Sequence, residues 1–360
     1  MSTNLQSHTD KVSQNHSVNY NEAPYVKTSL IDVTNKLPIE PPCRILFKNE
    51  WEQPSGSFKL RGIGNLIQQS ILQYKRLENQ DKEIQVFASS GGNAGLAAAY
   101  TAFFYNLKCT VVLPVNSKPK VQDKLKGWGA KLILQGSNIN EADKYLKGML
   151  NEIRSKGEIE PIYCHPFDNP LIWDGHASLV DELTNKSQIK GIVCSCGGGG
   201  LYNGIYEGMI RNNMVNNNNS ILLLETQQAP TLFESLEAEK LITLNNVNSL
   251  ATSLACSYTT NQTMENFHNK QYIETKLELV DDLDAIKSCI SYYNQFKTVV
   301  EPACGTALSV VYDKIDLLYK HYGKLNKDDV IVIVVCGGSC CNESDLQAFE
   351  KLVKRSESRL

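Results

Sequence analysis

Three glycine-rich runs in this chain have the residue types of anion-binding loops. They are Ser89-Ser90-Gly91-Gly92-Asn93-Ala94-Gly95, Gly197-Gly198-Gly199-Gly200 and Cys336-Gly337-Gly338-Ser339. Each follows a short apolar run. In an open α/β sheet that is where ligands bind. Glycines let backbone amides approach an anion, and a following helix N-terminus adds its positive dipole. Four consecutive glycines offer no side chain to a core, so Gly197–Gly200 is either a flexible turn or an anion cradle. The spacing GxxxxGK[ST] is absent and so is GxGxxG, which leaves a phosphate smaller than a dinucleotide. A fourth segment, Pro54-Ser55-Gly56-Ser57-Phe58-Lys59-Leu60-Arg61-Gly62, places a lysine between Phe and Leu just ahead of a helical stretch. Alone, Lys59 reads as an ordinary helix-start lysine. Beside three glycine-rich loops it suggests an amine for a Schiff-base cofactor, which needs an amine, a phosphate anchor and a group tuning the ring.

The elements that must hold these loops alternate. Apolar, β-branched runs at 84–88, 109–113, 131–134, 191–194, 221–224 and 330–335 do not alternate with polar residues, so each is expected to be a strand buried on both faces. Stretches of helical character at 62–77, 93–104, 140–153, 171–183, 283–296 and 306–322 lie between or after them. This order implies βαβ units and an α/β fold with parallel sheets, two of them at this length. Residues 1–23 are polar and read as a disordered tail. The Asn-rich segment 212–219 reads as a surface loop.

Composition narrows the classes. Of 360 residues, 36 are Lys or Arg and 39 Asp or Glu, so the formal charge of −3 offers no basic excess to a nucleic acid. No apolar run approaches the ~18 residues of a membrane span. Eleven cysteines without a leading apolar segment, in a chain long enough to build its own core, suggest reduced thiols and a reducing compartment such as cytosol. The tail lacks Arg and contains Asp10 and Glu22, which weakens mitochondrial import but leaves it as the alternative.

Taken together, PSGSFKLRG, SSGGNAG, the tetraglycine, VEPACGTAL (300–308) and VVCGGS (334–339) resemble the fold-type II pyridoxal-phosphate enzymes, the tryptophan synthase β group. Within it they are similar to the catabolic L-serine/L-threonine dehydratases. The resemblance runs from about Tyr25 to about Phe349. It implies two open, twisted parallel-sheet domains: a small one over 53–165 and a large pyridoxal-phosphate-binding one combining 24–52 with 166–360. It also implies roles. Lys59 matches the lysine that holds the cofactor as a Schiff base and then serves as general base. Phe58 matches a residue packed on the ring. Asn93 matches the side chain that bonds the ring's 3-hydroxyl oxygen. Ser90, Gly91 and Asn93 match the substrate-carboxylate loop. Gly197, Gly198, Gly199 and Gly200 match the phosphate cup, and Cys336 matches the group facing the pyridine nitrogen. A thiol there does not enforce protonation of that nitrogen, which suits elimination over transamination. Glu225 matches a ligand of a structural monovalent cation, a potassium-like ion, with Ser253 and Cys256 in the matching segment. A surface charge at a strand end is the other reading of Glu225. Glu301 lies near the site in the family, without an assigned chemical role.

The implied reaction is α,β-elimination of water from L-serine, giving pyruvate and ammonia, and from L-threonine, giving 2-oxobutanoate and ammonia. The cofactor phosphate acts as acid for the leaving hydroxyl. The implied setting is amino-acid catabolism and gluconeogenesis, in a cytoplasmic homodimer with no nucleic acid or membrane partner. Serine racemases of this fold carry Ser at the position of Gly91, so racemisation is expected to be minor. SFKLRG and EPACG favour a dehydratase over β-replacement. The chain ends soon after Cys336, so no C-terminal regulatory domain and no feedback by isoleucine are expected. An intact Lys59, Asn93 and tetraglycine argue against a silent cofactor-binding relative. The family pattern is broken at Cys340-Cys341, where many relatives have Asn directly after CGGS; sensitivity to oxidation is one expected consequence.

Overall fold

The longest apolar runs become the innermost strands. In the computed structural model, which describes residues 18–77, 81–216, 219–245 and 247–358, β7 (Ile189–Ser195), β8 (Ser220–Thr226) and β10 (Val330–Val335) form the middle of a six-stranded sheet. β8 and β10 are buried along their whole length, as Val/Ile/Leu runs covered on both faces must be. With β1 (Leu30–Asp32), β2 (Arg44–Asn49) and β9 (Glu274–Val280) the order is β1-β2-β10-β7-β8-β9. Only β1 is antiparallel to its neighbour. A second sheet, all parallel, joins β3 (Glu83–Ala88), β4 (Lys108–Leu113), β5 (Lys131–Leu134) and β6 (Ile159–Cys164) in the order β5-β4-β3-β6.

Not every run is covered on both faces. β5 is an edge strand with both ends exposed, because only β4 pairs with it. The first half of β3 is likewise open. β1, β2, β6 and β9 were not expected as strands. β2 carries Arg44 and Lys48, β6 carries Glu160 and Pro161, and β9 alternates charged with apolar residues, so none shows a plain apolar run.

Twelve α-helices are formed among the described residues, of which a few position the site. α1 (Lys59–Lys75) follows the lysine segment, and α2 (Asn93–Phe104) opens on the SSGGNAG loop. α2 is buried on nearly all sides, which its Ala97-Ala98-Ala99 run permits at close range. α3 (Pro119–Gly127), α4 (Ile139–Lys156), α5 (Pro170–Asp181) and α6 (Gly200–Arg211) follow. After α7 (Thr231–Glu237), α8 (Asn261–His268) and α9 (Asp282–Phe296), the expected helix at 306–322 appears as two pieces. α10 (Pro302–Tyr312) ends where the amides of Asp313 and Lys314 both turn back to the Ser309 carbonyl, and α11 (Asp316–Tyr322) starts afresh. α12 (Glu343–Glu357) begins with a capping box between Asn342 and Asp345.

Ordered packing begins earlier than the sequence suggests. Residues 1–17 lie outside the described residues, but 18–23, expected as part of the tail, pack on the four-stranded half. The Tyr20 ring lies 5.6 Å from that of Tyr105, Lys75 caps its face, and the Tyr105 hydroxyl donates to the Glu22 carbonyl at 2.7 Å. Of the Asn-rich segment, 217–218 lie outside the described residues, and Met214–Asn216 form a short 3-10 turn. All eleven cysteines are free thiols.

α1 is tied to α5 at short range. A Cβ on Gly175 would sit 2.4 Å from the Arg61 carbonyl, so only glycine permits this approach. Two residues after Lys59, the buried Arg61 guanidinium donates to both carboxylate oxygens of Glu50, at 2.7 and 2.9 Å, and to Glu182, at 2.6 and 2.8 Å. Lys48 completes the cluster at 2.5 Å from Glu182. Buried charges persist only when paired in this way. The network fixes the first turn of α1 to β2 and α5.

Candidate active site

The loops singled out in the sequence converge at the carboxyl ends of both sheets. Lys59 leaves the segment after β2, the Ser89–Asn93 loop follows β3, His165 and Pro166 follow β6, the tetraglycine follows β7, Glu225 ends β8, and Cys336 follows β10. The lysine loop and the CGGS loop are bonded to each other. The Phe58 amide donates to the Cys336 carbonyl at 3.0 Å, Gly338 donates to the Gly56 carbonyl at 3.2 Å, and Ser57 pairs with Gly337. A Cβ on Gly337 would meet that of Ser57 at 2.6 Å.

Lys59 Nζ donates to the Pro166 carbonyl at 2.7 Å and lies 5.1 Å from the centre of the Phe58 ring. Burial pushes its pKa below the ordinary lysine value, while the nearby Cys256, Cys336 and Glu301 work the other way. The amine is thereby shifted toward its neutral, nucleophilic form. The Phe58 ring packs 4.9 Å from His176, a fully buried histidine that burial keeps neutral.

The tetraglycine is held from outside. A Cβ on Gly198 would lie 2.5 Å from the Phe167 ring, one on Gly200 2.9 Å from the Phe167 carbonyl, and one on Gly199 1.9 Å from Thr263 Oγ1. Gly199 also has a φ of +88°. α6 starts here without a capping side chain, so the amides of its first turn have no intrahelical acceptor. The cradle is therefore packed and not a flexible turn. The SSGGNAG loop is built similarly. α2 has no capping side chain, and the Gly92 amide donates to Ser90 Oγ at 3.2 Å. Ser89 Oγ donates to Asp143 at 2.7 Å, and Tyr163 donates to the same carboxylate oxygen at 2.6 Å. A Cβ on Gly91 would lie 3.3 Å from Leu113 Cδ2 and 3.7 Å from Ser117 Oγ.

Asn93 lies at the centre. Its Nδ2 donates to Glu301 Oε1 at 2.6 Å and faces Ser253 Oγ at 3.4 Å. Its Oδ1 accepts from the Ser339 hydroxyl and from Cys340 Sγ at 3.3 Å. Cys336 is buried beside Cys304 and Glu301, which push its thiol well above the usual value and keep it protonated. Burial also raises Cys340 and takes Cys341 up to about 12. Burial thereby disfavours the thiolate form of both residues, which is the form that oxidants attack.

Glu225 is fully buried, so it is not a surface charge at a strand end. Its two oxygens accept from the Leu232 and Phe233 amides at 2.8 Å each, at the start of α7. Burial carries its pKa up to about 8 despite these bonds. Nearby, Thr231 Oγ1 donates to the Cys256 carbonyl at 2.6 Å. Ser253 does not join Glu225 but faces Asn93. Among the described residues no group of three or more His, Cys, Asp or Glu side chains is arranged to hold a metal ion.

Several neighbours were not singled out from sequence. His165 precedes the carbonyl that holds Lys59. Burial takes its pKa down to about 4, so the ring is neutral. Its Nδ1 accepts from the Asp168 amide at 2.8 Å, which leaves the proton on Nε2 to donate to the Tyr258 hydroxyl at 2.9 Å. Tyr258, Asp143 and Tyr163 lie in stretches without any motif, and nothing in the sequence marks them.

Residues 24–337 match the family model described as "Pyridoxal-phosphate dependent enzyme". The chain is 41% identical over 349 residues to the "Catabolic L-serine/threonine dehydratase" of Saccharomyces cerevisiae, covering 94% of this chain and 93% of that protein. It is 33% identical to the "L-serine dehydratase/L-threonine deaminase" of Mus musculus, over 85% of this chain and 89% of that one. Among solved structures, a fungal L-serine ammonia-lyase from Rhizomucor miehei superposes with a TM-score of 0.78 at 26% identity, covering 92% of this chain and 99% of that one.

Proposed function

The chain belongs to the pyridoxal-phosphate dependent enzymes, and from that premise we infer that it eliminates water from L-serine and L-threonine, and that the enamine so formed takes water back up as it releases ammonia, yielding pyruvate and 2-oxobutanoate. It is an ammonia-lyase, similar to proteins named for that reaction. The observation that carries the reading is the convergence of one low-pKa amine, Lys59, with two uncapped helix starts at glycine loops.

The residues present fit the cofactor. A Cβ on Gly198, Gly199 or Gly200 would collide with Phe167 or Thr263, and no side chain caps the helix that starts there, which fits a phosphate held by backbone amides. When bound, pyridoxal phosphate supplies an electron sink conjugated to the substrate's α-carbon. Lys59 would hold its carbonyl carbon through Nζ, with Phe58 packed on the ring, Asn93 at the ring oxygen and Cys336 at the ring nitrogen. The protonated Cys336 thiol leaves that nitrogen without a counter-charge. Ser90, Gly91 and the α2 amides receive the substrate carboxylate. The substrate's amine would take its place on the cofactor and leave Lys59 Nζ free to take the α-proton; its lowered pKa favours the neutral amine that a base requires.

A small domain over 53–165 and a large one over 24–52 with 166–360 is the division this reading uses. The grouping of β3–β6 in one sheet supports it. A potassium-like ion near Glu225, with Cys256 supplying a carbonyl, is supported by the fully buried carboxyl at that position. Ser253 faces Asn93 and is left out of that set. A homodimer in the cytoplasm, serving amino-acid catabolism, belongs to the same proposal. No helix among the described residues is long and apolar enough to cross a membrane.

The test is pyruvate release. The purified chain, loaded with pyridoxal phosphate in potassium buffer, is given L-serine, and pyruvate is followed with lactate dehydrogenase and NADH. Steady release that vanishes in Lys59→Ala is expected. A cofactor-loaded protein that releases no keto acid from serine or threonine would overturn the reading.

A further inference from the structure

Asn93 belongs to the four-stranded half of the molecule, yet each group on its amide comes from the other half. Glu301 precedes α10, Ser253 lies between α7 and α8, and Ser339 and Cys340 follow β10. A primary amide has two donor hydrogens and two acceptor lone pairs, so these four partners fill it. They do not fill it equally. The bond to Glu301 is short and joins two buried groups. The contact to Ser253 is long and weak. On the oxygen, Ser339 could donate or accept, but the Cys340 thiol is held protonated and is a poor acceptor. Cys340 therefore selects the oxygen end, and Glu301 the nitrogen end.

We propose that Glu301 and Cys340 are positioning residues that lock the Asn93 amide in one orientation, reserving the N–H now turned to Ser253 for the bound cofactor. This rests on the reading of Asn93 as a cofactor contact. It gives a role to Glu301 and to Cys340, where the chain departs from its family's pattern. A flipped amide would set Oδ1 against the Glu301 carboxyl and Nδ2 against a thiol, and would turn an acceptor toward the cofactor oxygen.

The experiment measures cofactor affinity rather than turnover. Cofactor-free Glu301→Ala, Glu301→Gln, Cys340→Ala, Cys340→Ser, Cys341→Ala and Asn93→Ala are titrated with pyridoxal phosphate by quenching of tryptophan fluorescence. The visible band of the bound cofactor and the melting temperature are recorded alongside. Glu301→Ala is expected to weaken binding about tenfold, and Glu301→Gln no more than about threefold, because a glutamine oxygen still accepts from Nδ2. Cys340→Ala and Cys340→Ser are each expected to lose about threefold, because a hydroxyl accepts as readily as it donates, while Cys341→Ala changes nothing. If Glu301→Ala does not fold, the Gln variant and the Cys340 pair carry the test. Wild-type affinity in Cys340→Ala, or equal losses in Glu301→Gln and Glu301→Ala, would overturn the proposal. Normal binding by Asn93→Ala would overturn the reading of Asn93 itself, and the lock with it.

Discussion

Lys59 Nζ is held 2.7 Å from the carbonyl oxygen of Pro166, a neutral acceptor at the end of β6. The amine gains a defined position without a directly bonded counter-charge, and burial outweighs its more distant acidic neighbours. Its pKa lies below 10.5 in the folded chain and at the ordinary value when unfolded. The cost of burying the charged amine is thus fully present below the folded pKa and is gone above the unfolded one. Lys59→Met is expected to raise the melting temperature of the cofactor-free protein at pH 7, and to lose that advantage as pH approaches the ordinary lysine value. The rate of pyridoxal phosphate capture, followed by stopped-flow absorbance, is expected to level off at a pH below that of free lysine. A rate still climbing through 10.5 would contradict the lowered pKa.

Gly199 is the least replaceable residue of the cradle. Its φ of +88° and the 1.9 Å approach of an added Cβ to Thr263 Oγ1 combine two penalties. Gly199→Ala is expected to destabilise the chain by about 2 kcal/mol or more and to weaken cofactor binding. Thermal melting and cofactor titration check both. A variant melting with wild type would mean the loop relaxes freely.

Gly91 has room for a small side chain. The nearest atom to an added Cβ is 3.3 Å away, on the movable end of Leu113. Gly91→Ser is therefore expected to fold with less than about 1 kcal/mol of loss. If the hydroxyl supplies a proton on the face opposite Lys59, D-serine will appear when L-serine is supplied. Chiral chromatography of the reaction mixture decides this, with the wild-type chain as the low-D-serine control.

The Glu225 carboxyl has a folded pKa of about 8 against 4.5 unfolded. The native state then holds a proton that the unfolded chain has released, so stability falls as pH rises across that window. A cation beside the carboxylate would oppose the loss. Potassium chloride is expected to raise the melting temperature of wild type more at pH 8 than at pH 5, relative to tetramethylammonium chloride. The same gain should be missing from Glu225→Gln. Melting that ignores potassium at both pH values would remove the cation proposal.

Much of the fold was legible in local pattern. The Val330–Val335 run and the Asn93–Phe104 helix stand where the pattern put them, because their burial is nearly uniform and needs no knowledge of neighbours. β2 was not legible. Its Lys48 reads as a solvated charge, yet it is buried against Glu182, 134 residues away, in the cluster around Arg61. The helix expected at 306–322 broke for a local reason that periodicity does not carry, the bonds from Asp313 and Lys314 back to Ser309.

The sequence alone determined which cofactor chemistry was available. An amine at Lys59 and glycines at 198–200, where a Cβ would collide with Phe167 or Thr263, are what the proposed chemistry asks for. Tertiary structure decided what each polar group faces. Asn93 and Glu301 are 208 residues apart and form one buried bond. Glu225 satisfies the start of a helix that begins six residues later, at Thr231. A buried polar group must find partners wherever the folded chain brings them, and those partners are set by the packing of two sheets, which no local spacing encodes.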